Sequence, residues 1–439
     1  MLRKENFFWR FLTAAVIFLS VNCPVSFAAT EIESLIEVLV NKGVLSQGDA
    51  VQIIEEAEAE AKMQQINAVK KGPRWLANTT FKGDLRIRHQ YENKESDTSE
   101  PEQRFRTRLR YGVETDINSK LTVGARFATG SNDTASSPDG RSTNQTWGDV
   151  FSNWDFNIDE AYFDWQPFDA VQMIGGKRQV KKLMMRNSDL IWDGDLTFDG
   201  GTIKLTAPKC EGFEAFSYIG GYLLQSQAHD KLADDNQNNN PWMMHIQPGF
   251  TYKQKTDKGI YNFKGAVSYL GLRNTADQAT SAVLNSKYAL NGNSTNADGT
   301  LKYSYDVIYP TIAFEYNWGG PKNKTYAFKV NADYIYNPDP KDTGYLLGTK
   351  IGYKKVGKRF GDWQFGYNFR YLEDDAFLAA FSDSDAYSGH TNVKGHETTL
   401  QVGLAKNVTL GLDYYFMEPI SGNNRTTEQI VQSDVVFKF

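Results

Sequence analysis

Four arginines stand at every second position of a segment that reads RFRTRLRYGVETDI over residues 104–117. They are Arg104, Arg106, Arg108 and Arg110. A guanidinium group keeps its charge and offers a planar fork of donors, so a row of them can bind the carboxylate or phosphate group of a solute. Alternate side chains of a β-strand share a face, so this pattern predicts a strand with one cationic and one apolar face. A sheet of a soluble protein can have the same alternation. Only the number and arrangement of such strands can show whether this strand belongs to a soluble sheet.

Three more arginines follow this alternation in neighbouring segments. Arg86 and Arg88 lie in GDLRIRHQYE, and Arg126 lies in LTVGARFATG. If the three segments are adjacent strands, their arginines form one basic wall, which consists of Arg86, Arg88, Arg104, Arg106, Arg108, Arg110 and Arg126. Such a wall would concentrate anions. The alternative is that acidic neighbours pair with these arginines and form a ladder that stabilises the wall without selecting a solute.

Period-two alternation continues to the carboxyl terminus and predicts sixteen strands. The predicted strands cover residues 79–91, 104–117, 120–130, 156–167, 169–178, 198–206, 211–224, 242–256, 260–271, 303–318, 325–337, 341–355, 362–373, 394–406, 408–418 and 428–439. The phase of the segment 211–224 is ambiguous, because aromatic residues occupy both of its faces.

The connections between these strands alternate in length. Links such as 117–120 and 256–259 are tight, whereas the links that follow residues 130 and 224 are long and polar. Short periplasmic turns and long extracellular loops are typical of outer-membrane barrels. An open sheet edge in lipid leaves backbone groups unpaired at several kcal/mol each, so the sheet must close. The sequence therefore predicts an all-β fold, a transmembrane antiparallel β-barrel of about 16 strands over residues 73–439.

Aromatic residues gather near the ends of the predicted strands, as at Trp318 and Tyr415, where their rings can lie at the lipid headgroups. The chain ends VVFKF, which places Phe437 and Phe439 on one face. This ending resembles the signal by which bacterial outer-membrane proteins are recognised for assembly.

The first residues predict an export signal. A basic start is followed by an apolar stretch over residues 11–21 and by small residues at Ser26 and Ala28, so we expect residues 1–28 to be cleaved off as a signal peptide. A lipid attachment site at Cys23 is the competing interpretation, and Asn22 before the cysteine disfavours it. After cleavage only Cys210 remains, which excludes an intrachain disulfide.

Residues 29–72 predict a short periplasmic helical segment instead of strands. Ile32, Leu35, Ile36 and Leu39 have helical spacing, a break follows at residues 41–43, and Ser46 with Asp49 predicts the N-cap of a second helix. Two roles remain open: an oligomerisation or docking element with coiled-coil character, and an amphipathic spacer lying on the barrel rim.

Composition and motifs disfavour the other function classes. The net charge of −5 disfavours a nucleic-acid partner. No nucleophile motif, phosphate-binding loop or His/Cys metal cluster is recognisable. The five histidines are His89, His229, His245, His390 and His396, and His390 and His396 are expected to be solvated in a polar loop. We expect no enzyme activity, no cofactor and no metal.

The predicted connection from Val180 to Leu196 is a candidate constriction loop. It offers Lys181, Lys182, Arg186, Asp189, Asp193 and Asp195, and the neighbouring segments add Glu160, Asp164 and Asp199. Folded into the lumen, the loop would place basic and acidic walls opposite each other and orient polar solutes.

Several stretches resemble the bacterial family of putative porins and, more distantly, phosphate-selective porins. They include GDLRIRHQYE, RFRTRLRYGVET, LTVGARFATG, STNQTWGD, SDLIWDGDL and KNVTLGLDYYF. The resemblance covers residues from about 76 to 439 and implies an outer-membrane diffusion channel without catalytic residues.

Residues and resemblance together lead us to expect a porin of the bacterial outer membrane. It would pass small hydrophilic solutes by passive diffusion through a water-filled channel, with a preference for anions arising from the arginine wall. Its partners would be outer-membrane lipid and these solutes, and sixteen strands also suit a homotrimer. The alternatives are an adhesin or structural anchor and, less favoured, a barrel hydrolase.

Overall fold

The fold is that of a computed structural model of the full chain. It describes residues 35–36, 38–56, 78–95, 100–130, 141–148, 150, 153–224, 241–275, 291–320, 324–422 and 426–439. The predicted signal peptide lies outside these residues, as do large parts of the predicted helical segment 29–72.

Sixteen long strands make up the described wall. They are β1 (Thr79–Lys94), β2 (Glu102–Asn118), β3 (Leu121–Thr129), β4 (Phe156–Phe168), β5 (Val171–Gln179), β6 (Thr197–Thr206), β7 (Phe213–Leu223), β8 (Trp242–Thr256), β9 (Gly259–Arg273), β10 (Asp306–Gly320), β11 (Lys324–Asn337), β12 (Asp342–Tyr353), β13 (Trp363–Leu372), β14 (Val393–Ala405), β15 (Val408–Pro419) and β16 (Glu428–Lys438). Each strand overlaps its predicted range. A further two-residue strand, Gln145–Thr146, adds to the edge of β2 opposite Arg106 and Thr107.

Every strand pairs antiparallel with its neighbours in sequence, and the last strand pairs with the first. At this seam Leu85 lies opposite Phe437, and the backbone amide of Phe439 donates to the carbonyl of Gly83 at 3.0 Å. A closed sheet pairs the backbone groups that an open edge would leave bare to lipid. The predicted closed antiparallel barrel is confirmed.

The two faces of the wall are inverted relative to a soluble protein. Large apolar side chains point outward, among them Ile312 with 52% and Leu347 with 54% of its surface exposed. Arg88 and Gln247 lie on the inner face and are almost fully buried. Because an apolar outer surface is stable in lipid and a polar inner surface needs water or partners, these faces are those of a membrane barrel.

Strand β7 shows which side chains of the segment 211–224 face inward, a question that the sequence left open. Phe216 and Tyr222 are buried inside, whereas Phe213 and Ile219 are exposed outside. The Tyr222 ring lies over Gly220, where a Cβ atom would meet its hydroxyl group.

The described amino-terminal residues form two helical pieces. A helix covers residues 47–56, and Ser46 caps it, because the Asp49 amide donates to the Ser46 Oγ at 3.1 Å and the Ser46 Oγ donates to Asp49 Oδ2 at 2.7 Å. The preceding helical turn ends at Gly43, whose φ of 71° lies in the left-handed region that ends helices. The predicted cap and break are confirmed. Within the described residues, no helix is both long and apolar enough to cross a membrane.

Candidate functional site

The interior face of β1, β2 and β3 carries the seven predicted arginines. On β2 they alternate with Phe105, Leu109 and Tyr111, which point outward. Register places Arg86 opposite Arg108 and Arg88 opposite Arg106, so strand pairing brings the guanidinium groups of both strands together. Like charges in such rows need carboxylates between them to be stable.

Carboxylates lie between most of these arginines. Asp84 accepts from Arg108 and from Arg110 at 2.8 Å each, and Arg110 also reaches Asp195 at 3.2 Å. Arg104 pairs with Glu92 at 2.7 Å. The arginines with carboxylate partners include Arg86, Arg88, Arg104, Arg108, Arg110 and Arg126. Arg106 donates to Ser142 Oγ at 3.2 Å. The arrangement corresponds to the ladder alternative for most of the wall.

Arg88 is held by two carboxylates. Its Nε and Nη2 atoms donate to the two carboxylate oxygens of Asp434 at 2.7 and 2.8 Å, and its Nη1 lies 3.2 Å from Asp385. Asp434 belongs to β16, so this fork joins the first and last strands of the barrel.

A bulge in β4 supplies two carboxylates to one arginine. Arg126 pairs with Glu160 across the strands, the next pair is Phe127 with Ile158, and Asp159 is the extra residue. Both Asp159 and Glu160 contact the Arg126 guanidinium. A bulge re-aims side chains in this way, which alternation alone does not predict.

The connection over residues 180–196 folds into the barrel, as the constriction hypothesis requires. Leu190, Ile191 and Trp192 have no exposed surface, and Trp192 packs edge-on against Phe377 at 5.2 Å between ring centroids. A four-residue helix, Val180–Leu183, begins the loop. An extracellular loop in water would not bury these side chains, so the apolar centre of the loop fixes it inside.

Polar contacts attach the loop to four different strands. Asp189 pairs with Arg370 of β13 at 2.8 Å, and Asp195 pairs with Arg110 of β2. The Met185 amide donates to Gln247 Oε1 of β8 at 2.7 Å. Asn187 donates to Thr311 of β10 at 2.8 Å. The loop therefore spans the lumen from one wall to another.

The two acids at the end of this loop ionise differently. Burial and the negative charge of Asp195 both raise the pKa of Asp193, which accepts from the Ser384 amide at 2.9 Å. Burial also opposes ionisation of Asp195, but Arg108, Arg110 and Arg86 outweigh it and hold the pKa of Asp195 below its ordinary value. Asp195 is thus one of the counterions of the arginine wall.

A second loop, residues 373–392, also lies in the lumen, and sequence reasoning did not predict it. Phe377, Leu378 and Phe381 are buried against the first loop. Arg141 is buried beside them and donates to the carbonyl oxygens of Ala379 and Ser382 at 2.8 and 2.9 Å. The apolar run FLAAF within this loop was the available signal.

The remaining loop cations differ in their partners. Arg186 turns back on its own loop and donates to the carbonyl of Asp193 at 3.0 Å. Lys181 and Lys182 are exposed to the lumen, and among the described residues no carboxylate lies within ion-pair distance of either. They line a cavity with Arg126 and Arg178 of the adjacent wall.

Lysines of the opposite wall were also missed. Lys329 of β11 lies directly across from Lys350 of β12, and Lys264 of β9 lies nearby on the same inner face. Lys329 donates to the carbonyl of Asn187 in the inward loop at 3.4 Å. This contact shows that the side chain of Lys329 points into the lumen. Lys264 and Lys350 have no ion pair within the described part of the chain. The alternation in KVNADYIY was the signal for this face.

Two predicted placements are wrong. Asp199 lies on the outer face of β6, opposite to buried Phe198, and pairs with Lys177 at 3.0 Å. His396 lies in β14 rather than in a loop, where it is hydrogen-bonded to the Tyr367 hydroxyl at 2.7 Å. Glu160 and Asp164 do face inward: Glu160 is 2% exposed, and Asp164 accepts from Gln172 of the neighbouring strand at 2.8 Å. Over the described residues, no group of three or more His, Cys, Asp or Glu side chains is arranged to hold a metal ion.

The helix over residues 47–56 rests on the end of the barrel that carries the short turns. Asp49 pairs with Lys255, and Glu55 pairs with Lys253 at 3.5 Å and with Lys354 at 2.7 Å. The Gly48 amide donates to the carbonyl of Asp257 in the turn between β8 and β9 at 3.4 Å.

Solved structures give a likeness of fold. OprB of Pseudomonas putida at high pH matches with a TM-score of 0.51 and 11% identity, over 83% of this chain and 98% of that chain. The outer membrane channel DcaP of Acinetobacter baumannii matches with a TM-score of 0.46 and 11% identity, over 82% of this chain and 97% of that chain. No curated protein matches the chain in sequence.

The sequence itself matches the profile of the family described as "Putative porin" over residues 91–304 and 311–439. This match covers well over half of the 439 residues. Family and fold are those of a channel rather than an enzyme. The closed sixteen-stranded wall, its inward loops and this match lead to one conclusion: the chain belongs to the Putative porin family and is a channel of the bacterial outer membrane.

Proposed function

We propose that this outer-membrane porin, through which small hydrophilic solutes diffuse passively, prefers anions. The observation that carries the proposal is the set of lumen-facing lysines without carboxylate partners in the described part of the chain, namely Lys181, Lys182, Lys264 and Lys350. Ion pairs cancel much of the field of the arginine wall at a distance, whereas unpaired cations keep theirs.

The position of these lysines supports the proposal. Lys181 and Lys182 lie on the inward loop, and Lys264 and Lys350 lie on strands of the facing wall. A solute that passes the loop therefore meets positive charge on two sides. In a narrow lumen between low-dielectric walls such charges raise the local anion concentration and lower that of cations.

The test is the reversal potential of single channels in a planar bilayer under a KCl gradient. The wild type is expected to give a potential of the sign set by chloride. The double variant Lys181→Gln/Lys182→Gln should shift it toward the potassium value. Lys177→Gln is the matched control, because it removes one lysine from the outer face. A wild-type reversal potential of cation-selective sign would overturn the anion preference, while the channel function itself would stand. Absence of any conductance would favour the alternative of an adhesin.

We also propose that the amino-terminal helical segment, residues 29–72, is a periplasmic element that docks on the barrel rim. Support comes from the helix over residues 47–56, whose Asp49 and Glu55 bind lysines of β8 and of the turn after β12. Both roles that the sequence leaves open involve such contacts, since a docking element and a spacer would each lie on the rim. The corresponding test is the fourth prediction of the Discussion.

A homotrimer is the third part of the proposal. On the outer wall a groove of about 890 Å³ runs over β7 to β12 and is lined by small or flat residues such as Pro248, Gly249, Gly265 and Pro310. Small residues allow close approach of two surfaces in a membrane. Chemical cross-linking in mild detergent should give a three-chain band, and Gly265→Trp should remove it; a single-chain mass in detergent for the wild type would exclude the trimer.

A further inference from the structure

A cavity of about 300 Å³ lies between the inner wall of β1 to β5 and the first turn of the inward loop. Side chains of Lys82, Asp84, Arg110, Glu114, Arg126, Glu160, Tyr162, Arg178, Gln179, Lys181 and Lys182 line it. Six of these residues are cationic and three are acidic, so the lining has an excess of three positive charges.

All three carboxylates of the lining are already bound to cations. Asp84 holds Arg108 and Arg110, Glu114 accepts from Lys82 and from the Tyr162 hydroxyl, and Glu160 holds Arg126 and Arg178. Lys181 and Lys182, which have no such partner among the described residues, supply two of the three surplus charges. The third comes from Arg126 and Arg178, because these two guanidinium groups share Glu160.

Arg178 adds a preorganised donor. Its guanidinium carbon lies 3.4 Å from the centroid of the Tyr162 ring, and its side chain is nine-tenths buried. One guanidinium nitrogen binds Glu160, whereas Nε has no hydrogen-bond partner. A stacked and buried guanidinium loses little conformational freedom when it binds an oxyanion, because its orientation is already fixed.

From this geometry we propose that the cavity is a binding site for a small oxyanion with two or more negative charges, such as a phosphate or a dicarboxylate. The inference rests on the proposed anion preference and names its site and solute class. Two adjacent lysines on the loop and the guanidinium groups on the wall offer donors from two sides. A single monovalent ion satisfies only part of this surplus, whereas a multivalent oxyanion can bridge the loop and the wall.

Conductance block by such anions tests the site. Single-channel chloride current of the wild type is measured while inorganic phosphate or succinate is titrated at constant ionic strength. We expect a saturable fall in chloride current with at least one of the two anions, because an occupied site obstructs the lumen. Block by both would define the class as divalent oxyanions, and block by one would narrow it to that chemistry.

Variants then locate the site. Lys181→Gln and Lys182→Gln should each raise the half-blocking concentration roughly tenfold, the usual effect of losing one charge-assisted hydrogen bond. Lys181→Arg should retain block, and Lys177→Gln on the outer face should leave it unchanged. These surface lysines are not part of the packed core, so the barrel is expected to fold in each variant.

The outcomes separate this inference from the proposed function. An anion-selective reversal potential without saturable block by either anion overturns the site and leaves the anion preference standing. A cation-selective reversal potential overturns the anion preference itself. Equal block in wild type and in both glutamine variants also overturns the assignment, since the bound anion would then lie elsewhere.

Discussion

Arg370 of β13 and Asp189 of the inward loop form an ion pair at 2.8 Å, and the same guanidinium nitrogen holds Asp383 of the second loop at 3.0 Å. Arg370 is 2% exposed, so its guanidinium group is sheltered from water. One side chain of the wall thus fixes both loops that narrow the lumen.

Removing this guanidinium should loosen the constriction. Arg370→Gln leaves Asp383 buried without a counterion, which typically costs about 3–5 kcal/mol. We expect a lower unfolding midpoint in urea and larger fluctuations of single-channel current. Asp189→Asn is the milder comparison, because Asp189 is partly exposed. Current noise identical to that of the wild type would mean that the apolar contacts of Trp192 suffice to hold the loops.

The paired arginines should act on stability more than on selectivity. Arg88→Gln combined with Asp434→Asn removes the fork at the seam but leaves the net charge of the lumen unchanged. We expect an unaltered reversal potential and a reduced unfolding midpoint. Arg88→Gln alone should shift the reversal potential toward cations, because Asp434 and Asp385 lose a shared counterion. A shift in the charge-conserving double variant would contradict the ladder interpretation.

Anion preference should decline in alkali. Lys181 lines a cavity open to the lumen, and the cavity walls partly remove its amine from water. This desolvation lowers the pKa of Lys181 to about 8, with the positive charges of Arg110, Arg126 and Arg186 acting in the same direction and Glu160 opposing them. The charged form is present below this pH and is lost above it. Reversal potentials measured from pH 6 to 10 should therefore move toward cations around pH 8. Lys181→Arg keeps its charge throughout, and its profile should be flat in this range; an equal shift in that variant would assign the titration to another group.

Docking of the helix over residues 47–56 should fail in strong acid. Hydrogen bonds from Lys255 and Ser46 lower the pKa of Asp49 to about 2, so its contribution is complete above the ordinary value near 4 and disappears toward pH 2. Amide hydrogen exchange of the helix should accelerate over this interval. Asp49→Asn and Glu55→Gln together should make exchange fast at neutral pH. Unchanged protection in this double variant would show that Ala50 and Val51, both buried, dominate the contact.

A glycine on β1 makes room for the last residue. A Cβ atom on Gly83 would lie 2.4 Å from the Phe439 ring, closer than packed atoms come. Gly83→Val should displace this ring and lower the yield of folded barrel, measured by heat-modifiable mobility in electrophoresis. Gly221→Val is the matched control, since nothing lies within 4 Å of its Cβ position. Equal yields for the two variants would argue against a role for this fit.

Alternation sufficed to predict the wall because side-chain direction in a strand depends only on parity. It correctly separated Arg108 from Leu109, and it also bounded the loop from Val180 to Leu196. Alternation does not show which acid lies across from which arginine, because register depends on every strand between them. For that reason the pairing of Arg88 with Asp434 could not be predicted.

The second loop was missed for a different reason: the apolar run FLAAF indicates that these residues are buried, but it does not show what buries them. Residues 373–392 are mostly polar or small, and their burial depends on Trp192 and Arg141, which come from other loops. The lysines of β9, β11 and β12 were recognisable in principle, since Lys329 and Lys350 follow the same alternation. Without register, however, nothing in the sequence indicates that Lys329 approaches Asn187 of the inward loop.

The seam between β1 and β16 has a consequence for biogenesis. Residues separated by 346 positions, Arg88 and Asp434, must meet before the sheet can close. Until then the backbone groups at the outer edges of β1 and β16 stay unpaired. The barrel therefore cannot close before its last strand has been translated and secreted, and the unpaired edges of the incomplete sheet must be kept from pairing with other chains until then.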